Sequence, residues 1–459
     1  MLRITSTIAA VSTPPGKGGI GIVRISGSDA YEIAEKVFSS RSGRKLHEMK
    51  GYTAKFGTVR SSEGKLIDQC VALCFRAPKS YTGEDIVELQ CHGGDTVVNA
   101  VLRSVIDAGA VPADRGEFTR RAYLNGRIDL TEAEAVMNII NAASEQGEKA
   151  AASIAEGALA RKTEEIKKEI LGIQSQIAAE IDFPEEDVDE ADVGELKSGV
   201  STVESELKKL IRSYDVGQKM LRGVPAVIVG SPNVGKSTLL NLITGYDRAI
   251  VSSEAGTTRD VLEEKVTIGN TVLDLADTAG IREKASGEIE KIGIDRAKQR
   301  LENSSLVLCM FDGSRKLDSD DLAIIDEVSG KTALAIINKN DLRQEIDSEY
   351  IRSRFSRCIE ISANDGNAVS SVSDAISEMI GTKGIDTDEP ILANERQRSC
   401  AFRAHDAVQE ALKSLEQNIT LDVCYALLDE ALGALYELTG ENASEELIDK
   451  VFSDFCVGK

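Results

Sequence analysis

Short apolar runs separated by glycine, proline and polar turns dominate the first 120 residues: TIAAVST, GIGIVRIS, YTAKFGTVR, CVALCF and DIVELQC. Runs of this length, rich in Val, Ile and Thr, predict β-strands, and the intervals leave room for two helices. The texture is that of an α+β domain. At Thr131 it changes. The segment TEAE offers Thr131 as an N-cap with Glu134 reaching back, and from there to Ile181 no proline interrupts the helix formers. An acidic stretch, DFPEEDVDEAD at 182–192, predicts a solvated turn or hinge, and a further helix is expected to about Arg222.

The segment VPAVIVG at 224–230 opens a third texture, in which strands alternate with helices to about residue 382. From Pro390 to Phe455 helical periodicity returns. The expected organisation is therefore a multidomain α/β protein. An N-terminal α+β domain covers 1–121, a discontinuous helical domain covers 122–220 and 385–459, and an α/β domain at 221–384 is inserted into it. Insertion at a loop requires only that the two ends of the inserted domain lie close together. A length of 459 residues suits about three domains.

Composition narrows the classes. With 42% hydrophobic residues and no apolar run long enough to span a bilayer, a globular protein without membrane segments is expected. The start, MLRITSTIAAVSTPPG, is too polar for a secretory signal, and eight cysteines without a CxxC pair predict reduced thiols and a cytoplasmic location. Three histidines offer little for a zinc site. The net charge of −22 argues against attraction of nucleic acid over the whole surface. Residues 1–130 hold 18 Lys+Arg against 14 Asp+Glu, about +4, which leaves about −26 for the remainder, so RNA contact is expected nearer the amino end. Cys456 stands fourth from the carboxyl end, but Gly458 and Lys459 break the prenylation pattern. The tail is then either frayed or a working part.

The strongest chemistry is Gly230-Ser-Pro-Asn-Val-Gly-Lys-Ser237, which follows the apolar run PAVIVG. Glycines let backbone N–H groups wrap a phosphate, Lys236 reaches its β/γ oxygens, and the Ser237 hydroxyl ligates Mg²⁺. A helix from Thr238 aims its positive N-terminus at the anion. Asp277-Thr-Ala-Gly280 follows TVLDLA and places a carboxylate near Mg²⁺ and a glycine N–H at the γ-phosphate. Asn338-Lys-Asn-Asp341 follows ALAII, and Asp341 there accepts the paired N–H donors of guanine, which adenine lacks. Ser362-Ala363 after CIEI closes the base pocket. Four motifs in this order, each after a strand, define a GTP-binding domain.

Between the first two motifs lies Ala255-Gly-Thr-Thr-Arg-Asp260, the switch region of this superfamily, where Thr258 completes the Mg²⁺ shell. Ile281 stands where many small GTPases carry a water-orienting glutamine, and IREKASGEIEKIG offers Glu283, Glu288 and Glu290 instead.

GKSTLLN, AGTTRD, DTAGIRE, GEIEKIGIDRA, NKND and the terminal FCVGK together resemble the tRNA modification GTPase family called MnmE or TrmE. So do TPPGKGGIGIVRISG, YTGEDIVELQCHGG and RGEFTRRAYLNGRIDLTEAEA. The resemblance implies a Ras-like P-loop G domain, GTP hydrolysis, and a homodimer joined through the N-terminal domain. It also implies a flavoprotein partner, MnmG (GidA), with which the family adds a carboxymethylaminomethyl group at C5 of the wobble uridine of certain tRNAs. By resemblance the GTP site comprises Asn233, Val234, Gly235, Lys236, Ser237 and Thr238, then Ser252, Ser253, Glu254, Ala255, Gly256, Thr257 and Thr258. Asp277, Thr278, Ala279 and Gly280, then Asn338, Lys339 and Asp341, with Ser362 and Ala363, complete it. The resemblance also implies K⁺ in place of an arginine finger, held by Asn233, Ser252, Glu254 and Thr257. The family's catalytic glutamate aligns with Glu290, acting with Lys236 and Thr258, while one extra residue after DTAG keeps Glu288 open.

At the amino end, Gly16-Lys-Gly-Gly-Ile-Gly21 fits GxGxxG, but the strand-like IVRIS follows where a dinucleotide site needs a helix, so a glycine loop between strands is expected. The resemblance implies a 5-formyltetrahydrofolate site at Arg24, Glu88, Arg127 and Lys459, with Cys456 a candidate for modification chemistry. Arg127 stands where lysine is frequent in the family, which keeps the charge and changes the geometry. A ribosome-assembly GTPase is the main rival, disfavoured by the acidic helical flanks. A switch that only times a partner's release is a third reading.

Overall fold

The computed structural model describes residues 6–142, 144–182, 190–246, 263–269, 271–276, 301–302, 304–363, 365–381 and 389–459. The chain forms two compact units, 1–137 with 433–459, and 138–432.

In the first unit every apolar run singled out in the sequence is a strand. The strands are β1 (Ile8–Val11), β2 (Ile20–Ser26), β3 (Phe38–Ser40), β4 (Thr53–Arg60), β5 (Leu66–Phe75), β6 (Ile86–His92) and β7 (Val111–Pro112). They form one sheet in the order β3-β4-β5-β6-β2-β1-β7, antiparallel except for the β1–β7 pair. Residues 16–19 lead straight into β2, which takes up Ile20 and Gly21, so no helix follows the glycines. Helices Ala30–Val37 and Asp95–Asp107 contribute to a core with Val23, Ile25 and Leu89. Arg24 lies between two core positions, so the period-two pleat sends it to the opposite face. There a third helix, Glu117–Leu124, seats Phe118 with Ile8, Ala10 and Ala113.

The next helix starts earlier than the TEAE pattern implies. It runs Leu130–Asn141, and the reciprocal cap belongs to Asp129 and Glu132. The Glu132 N–H donates to Asp129 Oδ1 (2.8 Å), and the Asp129 N–H donates to Glu132 Oε2 (2.7 Å). Thr131 is one residue inside the helix and donates its hydroxyl to Asp129 (2.7 Å). Aspartate prevails because it offers a charged acceptor to the unpaired N–H groups of the first turn.

In the second unit the apolar runs form β8 (Val224–Gly230), β9 (Glu263–Ile268), β10 (Thr271–Ala276), β11 (Leu306–Asp312), β12 (Ala333–Asn338) and β13 (Arg357–Glu360). Their order is β13-β12-β11-β8-β10-β9, parallel except between β9 and β10. β11 and β12 are buried along their whole length, because two apolar clusters cover the two faces of the sheet. Long helices Ala158–Asp182, Glu190–Leu221 and Glu395–Glu416 belong to the same unit. Tyr214 donates its hydroxyl to Glu395 (2.7 Å), and the Gln218 amide donates to the Ala393 carbonyl (2.6 Å). These bonds bring together chain that lies before and after the sheet-forming stretch. Among the described residues no helix is long and apolar enough to cross a membrane.

Candidate functional site

The glycine loop connects the end of β8 to helix Lys236–Tyr246. Gly230 ends the strand at φ +156°, and a Cβ there would lie 2.5 Å from the Met310 carbonyl of the adjoining β11. Gly235 is constrained twice, by φ +104° and by the Asn338 amide nitrogen, 2.2 Å from where a Cβ would sit. Asn338 is 3% exposed and uses its side-chain amide in two directions. Its Nδ2 donates to the Val234 carbonyl (2.8 Å), and its Oδ1 accepts from the Ala363 N–H (2.9 Å). One side chain thereby ties together the glycine loop, the Asn-Lys-x-Asp loop and the Ser-Ala loop, which are far apart in sequence.

Lys236 stands at the first turn of its helix and is half-buried. Its ammonium donates to the carbonyls of Gly230 (2.6 Å) and Ser231 (2.8 Å). Burial disfavours the charged form and pushes its pKa below the ordinary lysine value. Asn233, Ser237 and Thr238 are exposed around it, and Asn233 adopts φ +66°.

Lys339 is also left-handed, at φ +64°, and its ammonium pairs with Asp312 (2.5 Å), the last residue of β11. Asp312 also accepts from the Ser314 N–H (3.0 Å) and hydroxyl (2.6 Å). Burial works to raise the Asp312 pKa, but the hydrogen bonds from Lys339 and Ser314 outweigh it and hold the carboxyl below its ordinary value. Sequence reasoning missed Asp312. Its signal was an acidic residue closing the apolar run LVLCMF, and the β11–β12 register places it opposite Asn338. Asp341 and Ser362 are accessible at the rim, whereas Ala363 is buried. Ser252–Thr258, Asp277–Gly280, Ile281, Glu283, Glu288 and Glu290 lie outside the described residues, and β10 ends one residue before Asp277.

In the other unit, Arg24 and Glu88 face each other across β2 and β6 and form an ion pair at 2.9 Å. The Arg24 guanidinium lies over the rings of Tyr81 (5.6 Å) and Phe118 (5.5 Å). The loop YTGED explains the arrangement around them. Tyr81 hydrogen-bonds Thr119 (2.8 Å), Thr82 bonds Ser26 (2.8 Å), and Gly83, at φ +78°, would place a Cβ 3.3 Å from Arg127 Cγ. Glu84 accepts from Arg121, which is 1% exposed and also bonds Glu117 (2.8 Å) and the Ser6 carbonyl (2.8 Å). Tyr81, Glu84, Phe118 and Arg121 escaped the sequence reading because their periodicity resembles that of ordinary core residues.

The carboxyl end is tied down. The Gly116 N–H donates to the Cys456 carbonyl (3.2 Å), Val457 forms a bridge with Arg115, and Ser12 donates to the Gly458 carbonyl (3.0 Å). Gly458 adopts φ +93°, and a Cβ would fall 2.0 Å from the Val11 carbonyl. The Phe118 N–H donates to the Lys459 carbonyl (3.1 Å), so the last residue meets the element whose ring faces Arg24. Cys456 is exposed. A separate cleft of about 570 Å³ is lined by Val11, Pro14, Ile20, Val98, Leu102 and Val457, and none of Arg24, Glu88, Arg127 and Lys459 lines it.

A parallel sheet with this strand order, a glycine loop after β8 and an Asn-Lys-x-Asp loop after β12 defines a P-loop nucleotide-binding protein of the GTPase class. Two family models match the chain: "GTP-binding protein TrmE N-terminus" over residues 7–127 and "MnmE helical domain" over residues 130–456. Similar full-length relatives include proteins of Alkaliphilus oremlandii (39% identical, 100% of both chains) and Natranaerobius thermophilus (39%, 99% of both). A Clostridioides difficile protein is 38% identical over 99% of this chain and 100% of its own, and all three are called tRNA modification GTPase MnmE. A solved G domain of the T. maritima FeoB iron transporter covers 34% of this chain at 22% identity and a TM-score of 0.26, too distant to bear on function. The chain belongs to the tRNA modification GTPase MnmE family.

Proposed function

We propose that this protein binds and hydrolyses GTP in the modification of tRNA. With the flavoprotein MnmG (GidA) it takes part in adding a carboxymethylaminomethyl group to C5 of the wobble uridine. The observation that carries the proposal is the fastening of three nucleotide-contacting loops by Asn338, in a chain 38–39% identical to MnmE relatives over essentially its full length. Loss of the modified nucleoside from tRNA of a deletion strain, measured by mass spectrometry and restored by this chain, tests it. Unchanged wobble nucleosides would remove tRNA modification and favour the release-timing switch. The same readout in a Cys456→Ser strain tests the thiol, because intact modification there would exclude a chemical role.

Within the G domain, proposed as 221–384 inserted between helical segments 122–220 and 385–459, the chain's own groups divide the work. Glycine-loop N–H groups bind the phosphates, Lys236 carries charge to the β/γ oxygens, Asp341 reads the base, and Glu290 or Glu288 orients the water. The exposed Ser237 hydroxyl on the first helical turn suits Mg²⁺ shared with phosphate oxygens, together with Thr258. Asn233, exposed beside Lys236, suits K⁺ held also by oxygens of Ser252, Glu254 and Thr257. A monovalent cation held by these residues would supply positive charge to the reacting phosphates. GTP turnover is expected to fall at least about tenfold when Na⁺ replaces K⁺, and equal rates would exclude the cation.

The N-terminal domain, proposed as 1–121, is assigned 5-formyltetrahydrofolate or a related folate and the homodimer contact. Glu88 accepts pterin N–H donors, Arg24 pairs with pterin oxygens or with the folate's carboxylates, and Arg127 and Lys459 add positive charge to the site. The rings of Tyr81 and Phe118 beside the Arg24–Glu88 pair suit a flat heterocycle.

A further inference from the structure

We propose that Asp321, backed by Arg315, is a positioning residue for the phosphate-binding Lys236 and acts through Ser231. The proposal rests on the nucleotide reading above and deepens it. Asp321 lies in the first turn of helix Ser319–Glu327 and is 1% exposed. All the partners of its carboxylate are donors. Ser231 Oγ donates to Oδ1 at 2.6 Å, as does Arg315 Nη2 at 3.2 Å, while Arg315 Nη1 (2.7 Å) and the Asp318 N–H (3.2 Å) donate to Oδ2. Asp318 accepts the N–H groups of Asp320 (3.0 Å) and Asp321 (2.9 Å) and pairs with Arg315 at 2.8 Å, so the carboxylate is fixed from both sides.

Ser231 is the first residue of the glycine loop after Gly230, is 3% exposed, and faces two ways. Its hydroxyl reaches Asp321, and its carbonyl accepts from the Lys236 ammonium at 2.8 Å. A single peptide therefore links the buried carboxylate to the cation that meets the phosphates. A glycine loop contributes little side-chain packing of its own, so its carbonyls are held only as firmly as their few anchors. Without the Ser231–Asp321 bond, nucleotide binding must itself order the loop and set Lys236, at a cost in affinity.

The test uses the full-length protein, GDP titration by calorimetry, and thermal unfolding without nucleotide. Ser231→Ala is expected to weaken GDP binding about tenfold, with an unfolding temperature within about 2 °C of wild type. Asp321→Asn keeps the shape, but its one oxygen stays with Arg315 Nη1 and the Asp318 N–H, which turns an amide donor toward Ser231, and it is expected to weaken GDP at least as much. The double variant is expected to be no weaker than Asp321→Asn alone, because the bond is already lost. Wild-type affinity in Ser231→Ala overturns the proposal, as does full additivity, or a loss of affinity accompanied by a matching loss of unfolding temperature. Should Asp321→Asn fail to fold, Ser231→Ala alone decides. Wild-type protein that takes up no GDP would instead refute the nucleotide reading itself.

Discussion

Lys236→Ala is expected to lower GTP turnover by at least about a hundredfold, with nucleotide affinity falling as well. The ammonium is held by two loop carbonyls, 2.6 and 2.8 Å away, at the start of a helix whose N-terminus already favours anions. On the proposed reading, charge that builds on the β- and γ-oxygens during transfer meets this cation in a half-buried setting, where it counts for more than in water. Burial lowers the Lys236 pKa from its ordinary value, so a phosphate beside it also strengthens its hold on the proton. Single-turnover hydrolysis separates the effect on chemistry from the effect on binding. A variant that hydrolyses GTP within tenfold of wild type would show that the glycine loop and the metal suffice without the lysine.

Asp341→Asn is expected to weaken guanine nucleotides by about a hundredfold or more, while xanthine nucleotides gain. A guanine presents N1–H and an exocyclic amine, both donors, which suit the two oxygens of a carboxylate. Xanthine keeps the N1–H and replaces the amine by a carbonyl acceptor, which suits the oxygen and NH₂ of an asparagine. Asp341 is exposed at the rim, two residues beyond Lys339, whose ammonium is anchored by Asp312. The substitution therefore leaves the loop's own fastenings in place. Competition of GDP and XDP for the variant reads the result directly, and an unchanged preference for GDP would mean that another group reads the base.

The runs that precede the glycine-rich and Asx-bearing motifs were legible because each is an apolar segment, and each is a strand, β8, β10 or β12. Strand-forming segments of the first unit were legible for the same reason, since alternation and β-branched residues report a pleated, half-buried surface. Other features depended on partners distant in sequence. Asp129 displaced Thr131 as the helix cap because a carboxylate two residues earlier met the free N–H groups. Asp312 reaches Lys339 across 27 residues, Ser231 reaches Asp321 across 90, and Asn338 reaches Val234 across 104. No local periodicity encodes such pairs.

Linear order alone determined where the glycine loop after β8 and the Asn-Lys-x-Asp loop after β12 begin, since a backbone that must approach an anion needs glycines at set positions after a strand. It also determined that the last four residues carry a cysteine, a glycine and a lysine. Only the folded chain decided that these residues are docked, with Gly458 pressed on Val11 and Lys459 bonded to Phe118. Only it paired Arg24 with Glu88 and placed Asp321 behind Ser231. The physical reason is common to all of them: a buried charge or an unpaired peptide group must find its partner wherever packing brings one within reach, however far along the chain it lies.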